Sequence, residues 1–274
     1  MGQTHYTPRP LTWGSESSVT WATSPVGRAV VFVHGFGGEA QGTWDQFSTL
    51  LPLQPQCEGR DLFFYGYDSL VQQAPVSAAE FLTFLQALAT DPFTAVIRPS
   101  LRDARRSDPR FQYQHITLVA HSLGAVVTRE ALVQAAMDDP PAPWLDRISL
   151  VLFAPAHTGA QIIDLANEAL GALPASFGAA AAAGAKAFAQ VLNDLEPDSL
   201  ALKKLQGDTA DLIQKGYTSL RAKVVVIGQK DRIVKAVRFC ADPGPRIVPD
   251  KGHIGICKPD ATYAAPLGHL LPHI

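Results

Sequence analysis

Short apolar runs alternate with longer periodic stretches along this chain. "AVVFV" (29–33), "LFFY" (62–65), "ITLVA" (116–120), "ISLVLF" (148–153) and "KVVVI" (223–227) are rich in β-branched and apolar residues at consecutive positions. Runs without apolar–polar alternation predict strands covered on both faces, the signature of a parallel sheet's interior. "RIV" (246–248) predicts one more short strand. Between the runs, Phe81, Phe84, Leu85 and Leu88 recur at i, i+3, i+4 and i+7 and predict a helix over 78–89. Residues 123–137 and 260–271 also read as helices. The alternation implies an α/β fold with a mostly parallel sheet flanked by helices. Crossovers in such sheets are right-handed, and ligands gather at the carboxyl ends of the strands.

One interval breaks the rhythm. Residues 155–221 carry no strong strand signal but include "GAAAAAGAKAFAQVL" (178–192), an Ala-rich stretch that favours helix. Gly171, Pro174, Gly178, Gly184 and Pro197 cut the interval into pieces. Ordinary α/β connections are much shorter. The expected organisation is therefore a core of residues 1–154 and 222–274, with 155–221 forming a helical cap over the strand ends.

The strand ends carry the candidate chemistry. "VAHSLGAVV" (119–127) places Ser122 between a predicted strand and a predicted helix. A sharp turn there needs small residues two before and two after the serine, and Ala120 and Gly124 meet that need. A serine hydroxyl is a weak nucleophile and requires an adjacent base. In chain order Ser, acid, His, the candidates are Asp231 in "VVVIGQKDRIV" and His253 in "DKGHIGICKPD", each just past a predicted strand. His253 would shuttle the Ser122 proton, and Asp231 would fix the imidazole tautomer. Asp242 and Asp250 are the rival acids; His157, His269 and His273 are the rival histidines. An oxyanion hole requires two backbone N–H groups. Leu123 supplies one, and the "HGFGG" loop (34–38) the other, through Phe36 with Gly37 as the alternative. His34 is read as holding that loop. Gly37, His121 and His157 are expected to line the substrate site, with packing under the cap the competing reading for His157.

Gly35, Gly37 and Ala40 also fit a dinucleotide fingerprint, with Glu58 or Asp61 as its acid. That reading weakens because the helical signal begins only near Thr43, beyond the glycines that should open it.

Composition narrows the partners. A net charge of -2 over 274 residues gives no general pull toward nucleic acid or anionic membranes. The basic stretch "RPSLRDARRSDPR" (98–110) is diluted by acids and reads as a solvated helix face or loop. Cys57, Cys240 and Cys257 form no C-x-x-C pair, so no zinc or dithiol site is expected, nor any cofactor; Cys240 and Cys257 are open to pairing. No apolar leader stands at the start, no run of 18 apolar residues occurs, and Tyr6 spoils a myristoylation match at Gly2. A soluble, cytoplasmic protein is expected, acting on a small-molecule or lipid ester, with the cap as the surface for any membrane contact.

With these residues placed, the chain resembles the α/β hydrolase superfamily from about residue 18 to 271, on "HGFGG", "VAHSLGAVV", "GQKDRIV" and "KGHIGICKPD". Within it, "HGFGG…TW", "FAPAHTGA" (153–160) and "GHIGICKPDATY" resemble a serine esterase group that includes GPI inositol-deacylase-like and serine-active-site-containing lipase-like proteins. The resemblance implies a Ser122–His253–Asp231 triad and a Phe36–Leu123 oxyanion hole, acting on carboxylic esters. Ala120 departs from the usual glycine, and the Ala-rich segment has no counterpart to align.

Overall fold

Eight strands form one sheet in the computed structural model, which describes residues 4–97, 106, 108–161, 164–165, 191 and 193–274. The strands are β1 (Arg9–Pro10), β2 (Ser18–Thr20), β3 (Arg28–Val33), β4 (Arg60–Tyr65), β5 (His115–His121), β6 (Ile148–Phe153), β7 (Val224–Gly228) and β8 (Arg246–Val248). Their order across the sheet is β1-β2-β4-β3-β5-β6-β7-β8. β1 and β2 are antiparallel, and every pairing from β4 to β8 is parallel. The six runs read from the sequence are the six parallel strands. β1 and β2 carry no apolar run; β2, "SVT", is held by pairing with β4 through Ser18–Phe64 and Thr20–Leu62.

The α-helices described from end to end are α1 (Phe47–Leu50), α2 (Ala74–Thr90), α3 (Leu123–Met137), α4 (Leu200–Gln214) and α5 (Ala265–Leu270). α3 has the expected bounds. α2 starts a turn early, with Pro75 near its first position, where a missing N–H costs nothing. α5 starts later than expected because the Asp260 carboxylate accepts the N–H groups of Thr262 and Tyr263, which holds 260–263 as a turn. Most of the Ala-rich stretch 178–192 lies outside the described residues. At the margins of the 155–221 interval, α4 begins at a Ser199 cap whose hydroxyl accepts the Leu202 N–H.

The core is continuous through the sheet. Val30, Val31, Phe32, Leu118, Val119, Leu150, Val151 and Val226 are all without solvent contact, as strands covered on both faces must be. Among the described residues, two Arg–Asp ion pairs are buried in it. Arg106 pairs with Asp61, whose carboxylate also accepts from the Tyr113 hydroxyl (2.6 Å) and the Ala22 N–H (2.9 Å). This corrects the solvated reading of the basic stretch at Arg106, which is fully buried, while Arg110 is exposed as read. The buried pair also occupies Asp61, one of the two acids, with Glu58, that a dinucleotide fingerprint could use. The second pair joins Arg129 of α3 to Asp242 at 2.6 Å. Cys57, Cys240 and Cys257 are all free thiols.

The topology fixes where a site can form. From β3 the chain crosses to β4 on one side, then returns to β5 on the other. The strand order reverses between β3 and β5, and the segments leaving their carboxyl ends must diverge and open a crevice there. Val33 pairs with Ala120, so the His34 loop and Ser122 leave adjacent strands at the same level.

Candidate active site

Ser122 stands between the last residue of β5 and the first of α3, with φ 52° and ψ -122°. A non-glycine residue at positive φ is strained by about 1–3 kcal/mol and persists only where its surroundings hold it. Here its N–H donates to the Phe153 carbonyl (3.1 Å), and its carbonyl accepts from Ala125 and Ala156 (3.1 and 3.2 Å). The turn is tight enough to exclude larger neighbours. A β-carbon on Gly124 would lie 2.2 Å from the His34 carbonyl oxygen, and one on Gly35 would lie 2.7 Å from the Ser122 β-carbon. Ala120 is fully buried between β3 and β6, opposite Val33 and Leu152.

Three side chains meet from three strand ends. The Ser122 hydroxyl lies 2.9 Å from His253 Nε2, and His253 Nδ1–H donates to Asp231 Oδ2 at 2.9 Å. The other carboxylate oxygen of Asp231 accepts the N–H groups of Ile233 and Val234 (2.9 and 3.0 Å). Burial by itself would raise the Asp231 pKa, but the hydrogen bond from His253 and the two turn N–H groups together hold it below the ordinary carboxylate range. The acid therefore stays ionised, and its bond to Nδ1 leaves Nε2 as the acceptor for the serine proton. The rivals are elsewhere: Asp242 pairs with Arg129, and Asp250 forms a surface pair with Lys230 at 2.8 Å.

Two further histidines shape the site. His121 lies against His253 (4.9 Å between ring centroids) and donates Nε2–H to the His253 carbonyl at 3.0 Å. Burial, then the neighbouring His253, lowers its pKa to about 3, so it is neutral and acts as an anchor. His34 holds the "HGFGG" loop, as read. Its Nδ1–H donates to the Gly35 carbonyl (2.8 Å), and its Nε2 accepts the Tyr67 N–H (3.2 Å). The Tyr67 hydroxyl donates to the His34 carbonyl at 3.0 Å. Burial lowers the His34 pKa to about 4.

These groups border a cavity of about 180 Å³ lined by Phe36, Gly37, His121, Ser122, Leu165, His253, Ile254 and Lys258, among others. α3 begins at Leu123, so that N–H is one of the amides a helix start leaves without an intrahelical partner. The Gly37 N–H is engaged, donating to the Ser69 hydroxyl at 3.0 Å, which removes it as the alternative oxyanion donor. His157 departs from the expectation that it faces substrate. It is buried, donates Nε2–H to the Ala125 carbonyl (2.9 Å), packs on Phe239 (4.6 Å), and is not among the described residues lining this cavity. Among the described residues no cluster suits a metal ion, and no helix is long and apolar enough to cross a membrane.

The sequence matches the Alpha/beta hydrolase family over residues 30–265. The chain belongs to that family. No curated protein matches it. Several solved structures share the fold. A lipase of Bacillus licheniformis in its mature form is 13% identical, with a TM-score of 0.53, covering 99% of this chain and 98% of its own. A membrane phospholipase A described as a bacterial virulence factor is 13% identical, with a TM-score of 0.55, covering 99% and 88%. A peroxisomal alpha-beta-hydrolase of Saccharomyces cerevisiae is 10% identical, with a TM-score of 0.53, covering 97% and 85%.

In this α/β hydrolase, several residues around the cavity carry no signal in the sequence. Ser69 and Tyr67 sit in an irregular segment after β4, and only the fold brings them to the His34 loop. Leu165, Ile254 and Lys258 line the cavity from positions that match no motif. Cys257, beside Lys258, points its thiol at the Thr43 carbonyl (3.6 Å) and ties the His253 loop to the first loop.

Proposed function

We propose that the protein is a serine hydrolase that cleaves carboxylic esters through an acyl-enzyme. The observation that carries this reading is the continuous hydrogen-bonded chain Ser122–His253–Asp231 at the edge of a cavity. Ser122 Oγ attacks the ester carbonyl while His253 Nε2 takes its proton. The oxyanion that forms accepts hydrogen bonds from the N–H groups of Leu123 and Phe36. Collapse of the tetrahedral intermediate expels the alkoxide, which leaves as the alcohol with the proton from His253. A water molecule, deprotonated by His253, then attacks the acyl-enzyme and releases the acid. Asp231 stays ionised throughout and stabilises the imidazolium.

The apolar residues Phe36, Leu165 and Ile254 favour an acyl chain over a charged acid in the cavity. That preference, with the resemblance to the GPI inositol-deacylase-like and lipase-like group, supports a lipid or small apolar ester as substrate. The test is Ser122→Ala against a chain-length series of p-nitrophenyl esters, with a fluorophosphonate probe as the covalent readout. Wild-type protein is expected to take the probe and turn over esters. The variant is expected to lose labelling and about 10⁶-fold in kcat, with its melting temperature preserved. Equal labelling of the two proteins refutes the assignment.

A further inference from the structure

The cavity beside Ser122 has one Lys or Arg among the described residues of its lining, Lys258. It follows His253 by five positions, just past the short turn Gly255–Cys257. The loop between them is tied down along its length. The His253 carbonyl accepts Nε2–H of His121 (3.0 Å), the Ile256 carbonyl accepts the Tyr263 hydroxyl (3.2 Å), and the Cys257 thiol donates to the Thr43 carbonyl (3.6 Å). The backbone of Lys258 is thus held at a set place relative to His253.

Lys258 is half-buried, and its ammonium forms no ion pair among the described residues. Its charge is felt inside the site. Burial does most to hold the His121 imidazole neutral, the neighbouring His253 comes next, and Lys258 adds to both. Glu39 is the one carboxylate among the described residues of the lining, and it stands on the first loop, not on the His253 loop. It is exposed, with Oε2 turned over Gly42, 2.4 Å from where a β-carbon there would stand. An ammonium that has lost part of its water without gaining a counter-ion is drawn to an anion more strongly than a fully hydrated one.

The chemistry of ester cleavage gives the His253 loop one half of the substrate. His253 must return its proton to the departing alkoxide, so the alcohol half lies against His253 and the loop that follows it. We propose that Lys258 selects esters whose alcohol half carries an oxyanion group. The proposal rests on the ester-hydrolase reading and specifies its leaving-group side. The ammonium donates N–H to the oxyanion in a charge-assisted bond, and the apolar residues Phe36 and Leu165, carried on other segments, remain for the acyl chain.

The test uses a matched pair of butyrate esters, meta-butyryloxybenzoate with an anionic leaving group and meta-butyryloxybenzamide with a neutral one. The ratio of their kcat/KM values is compared between proteins, so their intrinsic reactivities cancel. Lys258→Met, which keeps a side chain of similar length without the charge, is expected to lower the anion-to-neutral ratio about tenfold, the order expected of one charge-assisted hydrogen bond. Lys258→Arg should keep most of the ratio, and Lys258→Glu should lower it further. Added salt should lower the wild-type ratio and leave that of Lys258→Met little changed. Glu39→Gln, which removes the carboxylate of the first loop, should not lower it. A wild-type ratio matched by Lys258→Met overturns the proposal, and so does an equal fall in Lys258→Met and Glu39→Gln. A wild type that takes the fluorophosphonate and cleaves both esters, at the ratio of Lys258→Met, sinks this proposal and leaves the esterase reading standing. A wild type that takes no probe and cleaves neither ester sinks that reading, and this one with it.

Discussion

Two acids follow β7, and their surroundings differ in one respect that decides what each can do. Asp231 and Asp242 both have side chains almost without solvent contact. Each accepts backbone N–H from nearby chain: Asp231 from Ile233 and Val234, Asp242 from Ala222 at 2.8 Å. Each lies near a buried histidine: His253 touches Asp231, and His157 shares Phe239 with Arg129, the partner of Asp242. The difference is the base. Arg129 never gives up its proton, and its guanidinium also donates to the Leu220 carbonyl, so that corner is closed. An imidazole can both accept and donate a proton, and the second nitrogen of His253 faces the Ser122 hydroxyl at a cavity. A buried carboxylate on a permanent cation is a fastener. The same carboxylate on an imidazole with an open side becomes part of a proton path.

Exchanging each acid for its amide breaks the comparison most sharply. Asp231→Asn keeps the shape but presents an N–H or a neutral oxygen to Nδ1, so the imidazole loses its preferred tautomer. Ester turnover is expected to fall about 10⁴-fold with little change in melting temperature. Asp242→Asn should do the reverse. It leaves the Arg129 charge buried without its counter-ion, and breaking such a pair costs about 3–5 kcal/mol. Urea denaturation should show that loss, while turnover per folded molecule at low denaturant stays near wild type. Catalysis abolished by Asp242→Asn in a fully folded protein would mean that the two corners are not separate.

The histidines of the two regions give a smaller effect with a defined sign. Burial and the Arg129 charge hold His157 well below its ordinary pKa. A group that is neutral when folded and takes up a proton when unfolded costs stability as pH falls below its unfolded value, about 6.5. As pH falls below about 6.5, His157 therefore contributes up to about 1.4 kcal/mol of destabilisation per pH unit. His157→Gln should flatten the stability profile by that slope and leave ester turnover unchanged. His121, with its pKa lowered to about 3, should contribute a similar slope when folded. Its replacement should also disturb turnover, because it anchors the His253 backbone.

The parts legible in the sequence were those where local chemistry and fold agree. The five parallel strands from β3 to β7 stand out because burial on both faces forces consecutive apolar residues, whereas β8 is a short run with an exposed Ile247. Ser122 and Asp231 stand out because each closely follows such a run, and His253 because it follows the short strand "RIV". What was not legible depends on distant partners. Arg106 sits in a stretch that reads as solvated, and only its acid, 45 positions earlier, takes it into the core. β2 is polar, and its order comes from β4. "PAHTG" admits a packing loop or a substrate-side loop, and the choice falls to whether His157 meets Ala125 or the cavity. The late start of α5 comes from a single carboxylate competing for backbone N–H groups.

Ser69 tests the finest level of the same contrast. The closed corner holds itself together with charge, but the site relies on neutral hydrogen bonds between loops. Ser69 accepts the Gly37 N–H, which fixes the chain immediately after Phe36. Ser69→Ala removes that acceptor without touching Ser122, His253 or Asp231. A neutral hydrogen bond is worth about 1 kcal/mol net, so a loss of about fivefold is expected. If Phe36 supplies an oxyanion donor, the loss belongs in kcat with KM little changed, because the donor matters most once charge develops on the carbonyl oxygen. Ser69→Thr, which keeps the hydroxyl, should restore most of it. A fall confined to KM would instead place Ser69 and the glycine loop in substrate binding, and would leave Leu123 as the backbone donor still to be matched with a second.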